Sequence, residues 1–147
     1  MSTARRAPWF SPAALGLVIL GGVLGVAVRA LVVVPLTAAG LHPLVVPGVT
    51  LVINLLGSLL LGVIVGWLAD RHPRARLFLG TGVMGGFTTY SAFAVQALTT
   101  SSASPYVGIL LMAISLFGGV FAAVVGLAFG RRIADRPGEV ERPEDAE

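Results

Sequence analysis

Asn54 is the only asparagine in the chain, and it sits inside a long apolar run with Thr50 and Ser58 four residues to either side. Positions i, i+4 and i+8 share one face of a helix, so these three form a polar stripe on an otherwise apolar surface. An amide surrounded by apolar side chains must find partners. It can hydrogen-bond a neighbouring helix, worth about 1 kcal/mol, or offer an N–H to an anion, and the spacing favours neither. A second cluster reads Gly82-Val83-Met84-Gly85-Gly86-Phe87-Thr88-Thr89-Tyr90-Ser91-Ala92-Phe93. Adjacent glycines followed by two β-branched threonines weaken a helix. Small residues there could serve close helix packing. Alternatively, the helix is broken, and its freed carbonyls bind a cation or its freed N–H groups face an anion. Four hydroxyls beside two phenylalanines favour a site.

Other chemistries lack their side chains. The chain has no cysteine, which removes disulfides, thiol catalysis and Cys-based zinc sites. His42 and His72 lie beside prolines in expected loops, where a histidine is ordinarily just solvated. No Asp or Glu falls within an apolar segment, so coupling to protons through a buried carboxylate has no candidate. Arg29 is the single charge between residues 7 and 69. It could snorkel to the headgroups, or set a positive potential at the mouth of a pathway. Ser115 could continue a polar lining on a later segment, where the nearby Gly118–Gly119 pair reads as packing.

These groups need a scaffold, and the composition allows one kind. Of 147 residues, 56% are hydrophobic and 12% charged, about half the charged share of a soluble domain. Residues 77–130 carry no charge at all. A bilayer core of about 30 Å takes roughly 20 apolar residues per helix, so the two charge-poor stretches hold two spans each. The sequence predicts an all-α membrane protein with spans at about 12–34, 47–69, 76–98 and 105–130, the third broken at its centre. Pro105 suits a first helical turn, and Trp67 and Tyr106 suit the interface. Residues 1–11 form a short N-terminal segment, residues 12–132 the membrane domain, and residues 133–147 a charged tail expected to be disordered. Arg5 and Arg6 before an apolar run loosely imitate a signal peptide. Arg29 beside the would-be cleavage site and three further spans favour a mature helix.

Three patches resemble the Fluc (CrcB) fluoride channel family. Gly21-Gly22-Val23-Leu24-Gly25-Val26-Ala27-Val28-Arg29 is similar to the family's first-helix Gly-Gly-x-x-Gly-x-x-x-Arg. Pro47 to Ser58 resembles its second-helix motif around asparagine, and Gly85 to Phe93 its third-helix signature. The resemblance implies an antiparallel dimer of four-helix subunits with two fluoride pores and passive efflux of fluoride from the cytoplasm. It implies one structural sodium ion at the dimer interface, held by the backbone carbonyls of Gly85 and Thr88. Asn54, Thr89, Tyr90, Ser91, Phe93 and Ser115 would line the fluoride path, with Arg29 at a vestibule. Two positions depart from the pattern. Tyr90 stands where a phenylalanine is usual, and Leu111, four residues before Ser115, where a tyrosine is common. The rival readings are a small four-helix antiporter and a non-conducting assembly subunit in the membrane.

Arginine placement bears on orientation. Four spans put both termini and the loop between spans two and three on one side, with Arg5, Arg6, Arg71, Arg74, Arg76, Arg131, Arg132, Arg136 and Arg142. The opposite loops carry none, and there is no lysine. Such a bias predicts a fixed topology in the cell's inner (plasma) membrane with both termini cytoplasmic. An antiparallel dimer then calls for an oppositely oriented homologous chain. The competing expectation is that a close-packed interface overrides loop charge and a homodimer forms.

Overall fold

The computed structural model of the chain describes residues 11–68 and 71–135. The expectations for the N-terminal segment up to residue 10, for Ala69–Asp70 and for the tail from residue 136 fall outside the described residues. Helices α1 (Pro12–Ala38) and α2 (Val45–Leu68) come first. Element α3 covers 73–87 in three parts: α-helical Pro73–Arg76, π-helical Leu77–Met84 and the α-helical turn Gly85–Phe87. Helices α4 (Tyr90–Ala103) and α5 (Pro105–Ala134) complete the described fold, which contains no strand among the described residues. Helices α1, α2 and α5 are each long and apolar enough to cross a membrane. The third crossing is divided between α3 and α4.

Local chemistry sets the ends. Pro12 occupies the first turn of α1, where its missing N–H costs nothing. The helix continues through Pro35, four residues beyond the end at Val34 read from the sequence. Pro35 forfeits one helical hydrogen bond, yet its own carbonyl accepts the Ala39 N–H at 3.0 Å. Gly40, at φ 59°, supplies the left-handed residue that stops the helix. His42 then starts α2: its Nδ1 accepts the Leu44 N–H at 3.3 Å and its carbonyl accepts the Val45 N–H at 2.9 Å.

Two glycine seams hold the helices together. Helix α1 lies on α3 with Gly21 and Gly25 against Gly82 and Gly86. A Cβ added at Gly82 would stand 2.9 Å from Gly21 Cα. Helix α2 lies on α5 with Gly62 and Gly66 against Gly126 and Gly130, where a Cβ at Gly66 would stand 2.5 Å from the Leu127 carbonyl oxygen. Every pair is spaced by four, so one side of each helix is stripped to backbone and the helices approach to van der Waals contact. Gly118 and Gly119 also face α2, towards Leu55 and Ser58. Few large side chains are covered: Ile53, Leu68, Met84 and Phe93 are buried, while Leu31, Phe117 and Phe121 point outward. Apolar surface on that scale needs lipid or another apolar protein around it.

Candidate functional site

The third crossing breaks at the threonines. Thr88 (φ −79°, ψ 157°) and Thr89 (φ −147°, ψ 119°) are both extended, the conformation β-branched residues favour. Gly85 remains helical at φ −64°, ψ −35°. The interruption therefore begins after the glycine pair. Gly57 on α2 lets this segment approach, because any Cβ there would collide with the Thr88 methyl.

Side chains from two other helices hold the break. Asn54 pairs with Thr89 as a neighbouring strand would: its Oδ1 accepts the Thr89 N–H at 2.9 Å and its Nδ2 donates to the Thr89 carbonyl at 3.0 Å. One N–H of the amide group is left for another acceptor. Arg29 Nε donates to the Gly86 carbonyl at 3.3 Å, which places a cation on the C-terminal end of α3. Thr89 caps α4, its Oγ1 accepting the Ala92 N–H at 3.3 Å. Thr88 folds back, donating both its N–H (3.0 Å) and its Oγ1–H (2.9 Å) to the Met84 carbonyl. In an unbroken helix Thr89 N–H would close onto Gly85 and Ala92 N–H onto Thr88. Both donors are diverted, so these two carbonyls lose their helical partners.

The break opens onto a groove of about 1070 Å³. Asn54, Gly85, Thr88, Thr89, Tyr90, Phe93 and Ser115 all line it. Gly85 is exposed there, with no atom within 4 Å of where a side chain would begin. Phe93 is buried in the wall, whereas Tyr90 is 84% exposed and projects outward. Two site residues named from the sequence lie apart from this lining. Ser91 is exposed, with its Oγ 3.4 Å from Thr89 Oγ1, and Arg29 is on the α1 side of the break. The polar stripe on α2 also divides. Asn54 and Ser58 line the groove, but Thr50 is buried and donates to the Val46 carbonyl of its own helix at 2.9 Å.

Sequence reasoning missed several of the lining groups. Thr81 and Arg76 of α3 and Ser101 of α4 belong to the groove, and Ser101 Oγ is buried with no hydrogen-bond partner among the described residues. Arg76 also reaches a second cavity of about 360 Å³, lined by Arg71, Arg131 and Asp135. Arg71 is held there by donating to the Ala134 carbonyl at 3.3 and 3.4 Å. The arginines were read from the sequence for topology alone, while the convergence of Arg71, Arg76 and Arg131 on the second cavity depends on how the helix ends meet.

These features define an α-helical integral membrane protein whose polar groups converge on a broken helix at the edge of an open groove. Residues 16–127 match the family described as CrcB-like protein, Camphor Resistance (CrcB), and the chain belongs to it. A relative from Leifsonia xyli subsp. xyli, named Fluoride-specific ion channel FluC 2, is 44% identical over 129 residues, covering 83% of this chain and 86% of its own. The Fluoride-specific ion channel FluC of Hyphomonas neptunium is 42% identical over 127 residues, covering 80% and 94%. FluC 2 of Corynebacterium jeikeium is 40% identical over 135 residues, covering 80% and 79%.

Proposed function

We propose that this chain is a subunit of a fluoride-selective channel, not an enzyme, and that it lets fluoride leave the cytoplasm passively. The observation that carries the reading is the set of hydrogen-bond donors gathered at the break and along the groove, within a family whose relatives are named for fluoride conduction. Fluoride is small and strongly hydrated, so a selective path must replace its water with donors. The free N–H of Asn54, the hydroxyls of Thr89, Ser91 and Ser115, and the positive ring edges of Tyr90 and Phe93 are such groups. The N–H groups of Tyr90 and Ser91 in the first turn of α4 have no carbonyl within their helix and add to them. A negative-inside potential drives a monovalent anion outward by about 2.3 kcal/mol per 100 mV, so no coupling ion is needed. An antiporter would need a carboxylate in the membrane, and the apolar segments contain none. A non-conducting assembly subunit would need the glycine seams but not the donors.

The carbonyls of Gly85 and Thr88 suit a structural sodium ion, since two hard oxygen ligands have lost their helical donors. Sodium bound there would supply positive charge to a segment with uncompensated acceptors. In our reading a second subunit in the opposite orientation covers the groove and contributes the other two carbonyls. The open groove and the outward Tyr90 support this. The arginine bias supports cytoplasmic termini and a heterodimer with an oppositely biased homologue. Reconstitution into liposomes with a fluoride electrode, against a chloride control, tests the assignment.

A further inference from the structure

The hydrogen bonds of the break divide its groups unequally. Thr88 N–H reaches Met84, Thr89 N–H reaches Asn54 Oδ1 and Ala92 N–H reaches Thr89 Oγ1. On the acceptor side, Gly86 O has Arg29 and Thr89 O has the Asn54 amide. What these exchanges leave over are the carbonyls of Gly85, Phe87 and Thr88, and of these three residues Gly85 and Thr88 line the groove. A carbonyl without its donor at membrane depth is costly, and a cation is the natural partner for a pair of them. The two diversions come from different helices, one from α2 and one from the cap of α4 itself.

We infer that Asn54 Oδ1 and Thr89 Oγ1 are positioning groups for the cation site, each removing the N–H that would otherwise close onto one of its two carbonyl ligands. Asn54 keeps the Gly85 carbonyl open and Thr89 keeps the Thr88 carbonyl open. The inference rests on the sodium reading given above. It gives Asn54 two separable duties: its oxygen shapes the cation site, and its remaining N–H faces the anion. Asn54→Ala removes both duties. Asn54→Asp keeps an acceptor for Thr89 N–H but has no amide donor. Thr89→Val removes the cap acceptor, whereas Thr89→Ser preserves it.

The test is thermal unfolding of the purified full-length protein over a sodium series, with N-methylglucamine holding ionic strength constant. Sodium should raise the wild-type unfolding midpoint. In Asn54→Ala and in Thr89→Val the sodium concentration at which the midpoint starts to rise should increase roughly tenfold or more. Thr89→Ser should stay within about threefold of wild type, and Asn54→Asp should respond to sodium at least as well. Wild-type sodium response in both Asn54→Ala and Thr89→Val overturns the inference. If Asn54→Ala does not fold, Asn54→Asp and the Thr89 pair decide: loss of the sodium response in Asn54→Asp, or equal responses in Thr89→Val and Thr89→Ser, overturns it. A wild-type protein with no sodium response removes the cation site and the inference together. A wild type that responds to sodium as described but fails to conduct fluoride leaves the inference standing and removes the channel reading.

Discussion

Asn54 reached the break through an arrangement its own neighbourhood in the sequence does not reveal. Its place on a polar stripe was legible from spacing, and so was the need of a membrane-depth amide for partners. That the partner would be the backbone of Thr89, 35 positions away, was not. It depends on Thr89 being extended and on Gly57 letting the segment come close. Asn54→Ala should reduce fluoride flux by roughly tenfold or more, a barrier rise of about 1.4 kcal/mol, while the protein still inserts and assembles. Efflux from liposomes checks this. Normal flux with poor assembly would make Asn54 a packing residue alone. Phe93 is buried in the groove wall, so Phe93→Ile exchanges a ring edge for an aliphatic group of smaller volume. Flux should fall while the folded yield is kept, and unchanged flux would take Phe93 out of the path.

At the scale of elements, the helices owe their packing to glycine spacing more than to side-chain volume. The Gly21–Gly25 step belonged to a motif visible in the sequence, but its fit against Gly82 and Gly86 required the fold. The weakness of the third crossing was legible in Gly85–Gly86 and Thr88–Thr89. Its division was not: the glycines stay helical, the threonines extend, and eight residues before them wind as a π-helix. One extra residue per turn leaves no periodic signature over so short a run. Neighbouring glycines on α1 provide a controlled test. Gly25 has the Val83 carbonyl and Phe87 N where a Cβ would go, and Gly22 has nothing within 4 Å. Gly25→Ala should destabilise the fold by about 1–3 kcal/mol, whereas Gly22→Ala should leave stability unchanged or raise it by about 0.4–1 kcal/mol. Thermal midpoints of the purified variants distinguish them, and equal midpoints would contradict the seam.

For the whole molecule, exposed apolar helix faces and a one-sided arginine distribution make two demands. The apolar faces need an apolar surrounding, and the orientation proposed here gives the groove a second subunit as its cover. Nine arginines near the termini and around the junction of α2 and α3, against none in the opposite loops, predict a single orientation with both termini inside. Accessibility labelling of a cysteine added at the C-terminus of intact cells should therefore be internal only. Substantial external labelling means dual insertion and removes the need for a different partner chain. The channel assignment itself meets its most direct test in liposomes loaded with equal fluoride and chloride. The protein is reconstituted alone and, if labelling is internal only, with its oppositely biased homologue. We expect rapid fluoride efflux on release of the membrane potential and no chloride efflux above that of protein-free vesicles. Chloride leaving as fast as fluoride, or no fluoride efflux from either preparation, would contradict the account.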